Sequence, residues 1–139
     1  MSLVEVCTHS LSVDEHLASV ADPSAGAVAT FVGQVRDHDP AAPGPVVSLE
    51  YTAHPDALTV LRRLVAQSAA LDGVFGVAVS HRIGLLSVGD AALVAAVATA
   101  HRALAFEVCQ ALVEAVKAEL PIWKRENLAD GSHLWVGST

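Results

Sequence analysis

Lysine is nearly absent from this chain, whose 139 residues contain only two, Lys117 and Lys124. Eight lysines and arginines stand against fifteen acidic residues, so the formal net charge is −7 at pH 7. Such an acidic chain lacks the broad basic face that nucleic-acid phosphates require, which excludes general nucleic-acid binding. A compact anionic substrate can still bind wherever a few cations gather in one local pocket.

Cysteine is equally scarce. Cys7 and Cys109 are far apart in the chain, and no C-x-x-C pair is present. The seven histidines include no His-x-x-x-His pair, so the sequence predicts neither a metal site nor a bound cofactor. Two isolated thiols favour a reduced, cytoplasmic setting.

Long apolar runs are also missing. The longest largely apolar run, Ala91–Ala100, is about half of what a bilayer crossing needs. The amino terminus carries Glu5 and no basic region before an apolar stretch, so we expect no secretory signal. Hydrophobic residues make up 53% of the chain, enough for a core, and the length predicts one domain over residues 1–139.

Strand-like and helix-like segments are interleaved along the chain. Helical patterns cover about 13–20, 55–71 and 102–119; strand patterns cover about 3–7, 26–35, 46–53, 74–83, 85–88, 92–100, 122–127 and 133–136. We expect 26–35 to pair with 46–53 as a hairpin, and Gly89-Asp90 to join the strands on either side as another. The order predicts an α+β fold, a mostly antiparallel sheet with about three helices packed on it.

The helix predicted at 102–119 has an unusually narrow polar stripe. Glu107, Gln110, Glu114 and Lys117 form that stripe, and nearly all other positions are apolar. A helix of this kind is covered on most sides. We expect a sheet to cover one side and a partner or neighbouring segment to cover the other.

The two lysines flank a proline. Pro121 lacks a backbone donor and disfavours helix at Leu120, so Lys117 should end a helix and Lys124 should return on an extended segment. This bend can bring both ammonium groups to one small anionic ligand. The alternative is structural, with Lys117 compensating the helix dipole and Lys124 exposed to solvent.

Other basic residues lie at predicted element ends. Arg36 follows a strand, and His101-Arg102 opens a helix, where backbone N–H groups favour an anion. Arginine suits phosphate because its planar fork donates two parallel hydrogen bonds. A solvated strand end and a helix-entry histidine remain the structural alternatives for Arg36 and His101. The sequence favours a structural role for His81-Arg82, at a strand-to-turn corner.

Several short motifs occur in an order that resembles one known family. They are FVGQVRDH (31–38), LEY (49–51), HRIG (81–84), AHRALAFE (100–107), Lys117 and PIWKRE (121–126). The combination of AHR-x-x-AF-E with K-x-x-x-P-I-W-K-[KR]-E is far more specific than any single piece. Over about 26–136 the chain resembles the large, catalytic subunit of molybdopterin synthase.

The resemblance implies a sulfurtransferase of molybdenum-cofactor biosynthesis. Members convert cyclic pyranopterin monophosphate (precursor Z) to molybdopterin by installing a dithiolene. Sulfur arrives as a thiocarboxylate on the C-terminal Gly-Gly of a small ubiquitin-like carrier. The implied assembly is a heterotetramer, in which a homodimer of large subunits carries one carrier at each end.

The resemblance also implies site residues. Lys117 would lie beside the thiocarboxylate and Lys124 beside the substrate, both assisting acyl and proton transfers. The implied substrate-binding residues are Gln34, Val35, Arg36, His101, Arg102, Arg125 and Glu126. Because the family's pocket lies close to the dimer contact, some of these residues would serve the neighbouring protomer.

Two other classes of function compete with this hypothesis. A small phosphate-binding hydrolase resembling acylphosphatases would use Arg36 and a loop at Gly33, and it leaves both lysines unexplained. A non-catalytic relative would bind the sulfur carrier or the pterin without reaction. Incubation with thiocarboxylated carrier and precursor Z separates the three, by product formation, phosphate release alone, or binding without turnover.

Overall fold

The first of two four-stranded sheets contains the strands that bury most deeply. The computed structural model describes residues 3–136. In chain order the elements are β1 (Val4–Cys7), α1 (Val13–Ser19), β2 (Ala27–Gln34), β3 (Val46–Ala53), α2 (Ala57–Ala69), β4 (Val74–Arg82), β5 (Gly84–Ser87), β6 (Ala91–Thr99), α3 (Arg102–Glu119), β7 (Ile122–Leu128) and β8 (His133–Val136). The predicted α+β class, with three helices and mostly antiparallel strands, is confirmed.

The strands divide between two sheets. The first sheet has the order β1-β4-β6-β2 and the second has the order β5-β3-β7-β8. β1 and β4 pair in parallel, whereas the other pairs are antiparallel. β6 is central and buried over nearly its whole length, which explains its run of alanine and valine.

Both predicted hairpins are wrong. β2 pairs with β6, whereas β3 lies in the other sheet between β5 and β7. β5 and β6 also belong to different sheets, although the turn between them forms as expected, with Gly89 at φ 92° and the Asp90 carboxylate accepting from the Ser87 N–H at 2.9 Å. The chain therefore changes sheets at both connections.

The helices pack mainly on the first sheet. α2 and α3 enclose the main core with β4 and β6, through residues such as Leu61, Val77, Val97 and Leu112. α1 begins at Ser12, whose hydroxyl accepts from the Glu15 N–H at 3.2 Å, as its capping sequence predicts. Within residues 3–136, no helix is long and apolar enough to cross a membrane.

Exposed apolar side chains lie on one face of the second sheet. Leu85 is 62% exposed, Trp123 40% and Trp135 62%. The outer side of α3 is also uncovered in the single chain, where Phe106 is 69% exposed. The sheet therefore covers one side of α3, as predicted, and the other side faces solvent in the protomer.

Candidate active site

A polar pocket of about 260 Å³ lies where the two sheets meet. Its lining combines apolar side chains with charged groups of both signs; the lining residues are Gly33, Gln34, Val35, Arg36, His38, Asp39, Leu49, Tyr51, His81, Ala92, Leu93, Val116, Lys117, Leu120, Ile122, Lys124 and Glu126. Tyr51 packs against the hydrophobic clusters of both sheets. The pocket therefore depends on the contact between the two sheets.

The bend at Pro121 brings the two lysines to this pocket. Lys117 lies in the last turn of α3, and Leu120 ends the helix in an extended conformation, at φ −69° and ψ 120°. Pro121 follows, and its carbonyl accepts from the His54 N–H at 3.0 Å, which fixes the turn to the end of β3. Lys124 then returns on β7 to the same pocket.

An irregularity in the β2–β6 pairing precedes Gln34, Val35 and Arg36. The register shifts between Gly33 and Gln34, a feature that commonly re-aims side chains near sites. Val35 is buried, and its backbone bonds to both residues of the next turn, with N–H to the Asp90 carbonyl at 3.0 Å and carbonyl to the Gly89 N–H at 2.7 Å. This anchoring positions the exposed Arg36 at the pocket rim.

Two carboxyl groups stand among these cations. Glu126 is only 3% exposed, and burial, together with the neighbouring Asp39 carboxyl, raises its pKa. The pKa of Asp39 is lowered, chiefly by the hydrogen bond from the Ala41 N–H and also by a hydrogen bond with Glu126.

His81 and Tyr51 line the pocket although sequence reasoning did not select either as a site residue. Their rings meet edge to face, 5.0 Å apart at an interplanar angle of 77°. Burial lowers the pKa of His81 to about 4, and the Lys117 charge acts in the same direction. Burial likewise raises the pKa of Tyr51. His81 lies in the motif HRIG, and Tyr51 lies in the motif LEY. These two motifs therefore contain pocket residues and do not only form a structural corner.

His38 and Asp39 are two further pocket residues outside the predicted set. They follow Arg36 and Asp37 and belong to the loop between β2 and β3. The charged run after a strand was a sequence signal for both, and His38 also belongs to the motif FVGQVRDH (31–38).

Arg125 lies outside the pocket of its own chain. Neighbouring residues of a strand point to opposite faces, so Lys124 and Glu126 face the pocket whereas Arg125 faces away. There its guanidinium lies 3.6 Å from the Glu50 carboxylate and 5.9 Å from the centre of the Trp135 ring.

His101 and Arg102 also lie away from the pocket lining. They stand exposed at the start of α3, and fifteen residues of helix place Arg102 about 22 Å from Lys117 along the axis. Six of the nine predicted site residues therefore line one pocket in the protomer, whereas His101, Arg102 and Arg125 do not.

Gly33 does not form a phosphate loop. It lies within β2, and a Cβ built there would be 3.2 Å from the Phe31 ring. The loop on which the phosphate-binding hydrolase depends is therefore absent at this position.

Together the fold and the pocket define an α+β protein with a cationic cleft suited to anionic substrates. The family model "MoaE protein" matches residues 6–119. The chain therefore belongs to the MoaE family.

A similar sequence and a similar solved structure agree with this assignment. Molybdopterin synthase catalytic subunit 1 of Mycobacterium tuberculosis is 41% identical over 128 residues, covering 91% of this chain and 85% of the relative. The crystal structure of molybdopterin synthase from Staphylococcus aureus superposes with a TM-score of 0.89 at 28% identity, covering 99% of this chain and 98% of the other.

A more distant structure shares the fold alone. It is a chain from the complex of subunits 1 and 2 of molybdopterin-converting factor from Helicobacter pylori. The TM-score is 0.76 at 21% identity, with coverage of 96% of this chain and 90% of that one.

Proposed function

We propose that this chain is the catalytic subunit of a molybdopterin synthase. It transfers sulfur from the C-terminal thiocarboxylate of a small ubiquitin-like carrier to cyclic pyranopterin monophosphate, and so makes the molybdopterin dithiolene. The observation that carries the proposal is the meeting of Lys117, Lys124 and Arg36 in one pocket of a MoaE family member. These three cations come from separate elements, so their convergence depends on the fold.

The chemistry of the transfer requires cations at this place. Displacing sulfur from a thiocarboxylate develops negative charge, and preorganised ammonium groups stabilise that charge best where water is excluded. In our proposal Lys117 lies beside the thiocarboxylate and Lys124 beside the pterin, with Gln34, Val35 and Arg36 at the substrate. The apolar residues of the pocket lining favour such an arrangement, because electrostatic interactions strengthen in a low dielectric.

We further propose that the working assembly contains two copies of this chain and two carriers. His101 and Arg102 would then reach the pocket of the neighbouring protomer, where an arginine can bind the phosphate. The exposed apolar face of the second sheet supports a contact with another chain. The Helicobacter pylori protein, which shares the fold, forms a complex of two different subunits. The two free thiols, Cys7 and Cys109, fit a cytoplasmic location.

The test is Lys117→Ala, assayed with thiocarboxylated carrier and precursor Z. We expect molybdopterin formation to fall at least about 100-fold, because a preorganised charge-stabilising group is lost. Thermal unfolding should stay close to wild type, since Lys117 is exposed. Arg62→Ala, at an exposed position of α2 outside the pocket, is the matched control and should keep full activity. Normal turnover in Lys117→Ala would refute the role of this lysine.

A further inference from the structure

Three side chains able to bind a metal ion lie together at the amino-terminal edge of the first sheet. They are the carboxylate of Glu5, the thiol of Cys7 and the imidazole of His9, and one donor atom from each lies within 4.8 Å of the other two. Within residues 3–136 this is the one group of three such ligands that stands so close together. None of the three lines the pocket with the two lysines, so the group is separate from the candidate active site.

The backbone of β1 and the bend after it bring these side chains together. Alternate residues of a strand point to the same side, so Glu5 and Cys7 share one face, whereas Val4 and Val6 pack toward the main core. The chain bends directly after β1, where the Cys7 thiol donates to the His9 carbonyl at 3.8 Å. This bend returns the His9 ring to Glu5, with Nε2 3.2 Å from Oε2.

The hydrogen bonding of His9 leaves a suitable nitrogen for a metal ion. Nδ1 lies 2.9 Å from the Ser10 carbonyl, which can only accept, so Nδ1 carries a proton and the neutral ring keeps its lone pair on Nε2. Metal-binding histidines almost always donate their other ring N–H to an oxygen in this way. Nε2 then faces a carboxylate oxygen, and two such acceptors repel each other unless a cation joins them. A proton would join these two atoms alone, whereas a metal ion would also bind the nearby thiol.

The spacing and charge of the three donor atoms suit Zn²⁺. In a tetrahedral site a nitrogen and an oxygen ligand stand about 3.3 Å apart, and a thiolate stands about 3.5 Å from each. The Glu5–His9 separation already has this value, and a small side-chain movement brings the sulfur to it. One thiolate and one carboxylate neutralise the two charges of the ion. A thiolate and an imidazole also favour zinc over magnesium or calcium, which prefer oxygen ligands.

An ion can reach these ligands from solvent. The side chain of His9 is 61% exposed and that of Glu5 is 36% exposed, and Cys7 is half-buried. Arg82 lies opposite Cys7 in the β1–β4 register, and a neighbouring guanidinium favours the thiolate form of a cysteine. The charge of Arg82 is itself balanced by the Asp90 carboxylate at 3.5 Å.

We propose that Glu5, Cys7 and His9 bind one Zn²⁺ ion. The thiolate is the ligand, so binding breaks the S–H bond of Cys7 and releases its proton to solvent. The ion ties the edge strand β1 to the bend that follows it, and so stabilises the amino-terminal edge of the first sheet. The sequence did not predict this site, because the ligands are alternate residues of a strand and its following bend, a spacing that matches neither His-x-x-x-His nor C-x-x-C.

Titration of the whole chain with Co²⁺, under reducing conditions, tests the site. Cobalt binds in place of zinc, and a thiolate ligand gives it a charge-transfer absorption band in the near ultraviolet. We expect one Co²⁺ per chain, displaced by Zn²⁺ with loss of the band, and a higher melting temperature with Zn²⁺ because the ion binds the folded state. No charge-transfer band up to millimolar Co²⁺, or one ion shared by two chains, would overturn the proposal.

Substitution of each cysteine identifies the thiolate. Cys7→Ser should abolish both the charge-transfer band and the Zn²⁺-dependent rise in melting temperature. Cys109→Ser is the matched control, because it removes the other thiol, which is buried in α3, and it should keep both signals. A band that persists in Cys7→Ser would place the ion elsewhere and overturn the proposal.

Substitution of the other two ligands tests the three-residue site. His9→Gln and Glu5→Gln should each weaken Co²⁺ binding at least about 10-fold, since loss of a group that only orients a ligand already costs that much. His133→Gln, at an exposed position of β8, is the matched control and should bind like wild type. Unchanged affinity in His9→Gln or Glu5→Gln would overturn the site. Sulfur transfer is not part of any of these measurements, so the metal site and the proposed function fail separately.

Discussion

His81 carries an uncharged imidazole next to a lysine. Its Nδ1–H donates to the Arg82 carbonyl at 2.7 Å, and Tyr51 packs against the ring, so the ring orientation is fixed on two sides. Because burial lowers the pKa to about 4, the ring is neutral at physiological pH and leaves Nε2 with a lone pair. The pocket therefore contains a hydrogen-bond acceptor among its cations without gaining another positive charge.

The His81 imidazole should also make stability depend on pH. An unfolded histidine takes up a proton as the pH falls through about 6.5, whereas the folded protein resists protonation until the pH reaches the depressed pKa of about 4. The unfolded state binds more protons in this window, so the free energy of unfolding falls as the pH drops, by at most about 3 kcal/mol.

Urea unfolding at several pH values between neutrality and the depressed pKa measures this effect. In His81→Asn the titrating ring is gone, and the fall in stability across the window should be smaller than in wild type. The other titrating groups are common to both proteins, so the difference between the two profiles isolates His81. Parallel profiles would contradict a depressed histidine pKa.

At the scale of elements, tight packing joins α1 to the first sheet. Gly76 lies in β4 opposite the end of α1, and a Cβ built there would be 2.9 Å from both Cα and Cβ of Val20. Val20 is buried, and the nearest atoms include backbone, so the contact cannot relax through a side-chain rotation alone.

Gly76→Ala should therefore destabilise the fold, by about 1–3 kcal/mol as in other overpacked cores. The denaturation midpoint in urea should fall with an unchanged slope. Gly44→Ala is the matched control, because a Cβ at Gly44 meets no atom within 4 Å, and its midpoint should stay near wild type. A midpoint for Gly76→Ala equal to that of the control would mean that α1 shifts freely.

Local signals in the sequence predict the elements well but the pairing of strands poorly. Ser12 and Glu15 define the start of α1, and Pro121 defines the turn between α3 and β7, because each acts on its immediate neighbours. Strand pairing depends on partners distant in the chain, and the loop 35–45 is long for a hairpin. The length of this loop was the one sequence feature which indicated that β2 and β3 do not pair.

The candidate site likewise contains residues that the sequence predicts and residues that it does not. Lys117, Lys124 and Arg36 were predictable from their scarcity, their positions at element ends and the family motifs. His81 was interpreted as structural, because nothing local reveals that β4 ends beside the last turn of α3. Asp39 and Glu126 line the same pocket only because the loop after β2 reaches β7 in the other sheet, which no sequence spacing encodes.

On the scale of the whole molecule, the protomer separates the predicted site residues into two groups. The pocket holds Lys117 and Lys124, whereas Arg102 lies about 22 Å along α3 from Lys117. In the proposed dimer, each pocket would be completed by the start of α3 from the other copy. If the pockets are shared in this way, an inactivating substitution in one chain can be complemented by an intact residue of the other chain.

Hybrid dimers test this sharing. Lys117→Ala and Arg102→Ala chains, co-expressed with different tags and purified through both, should regain about half of wild-type activity, since one of the two symmetric pockets receives both intact residues. Each variant alone should be nearly inactive.

A second hybrid supplies the control. Lys117→Ala paired with Lys124→Ala should stay inactive, because both lysines of a pocket come from one chain and neither pocket is intact. Failure of the first hybrid to regain activity, with both subunits present, would place Arg102 outside the shared pocket.

The strand order has a further consequence for synthesis on the ribosome. β7 is an inner strand of the second sheet, between β3 and β8, yet it follows all four strands of the first sheet in the chain. A nascent chain can assemble the four strands of the first sheet while β3 still lacks its partner on one side. The candidate pocket, which β7 helps to line, is therefore incomplete until residues 122–128 have paired with β3.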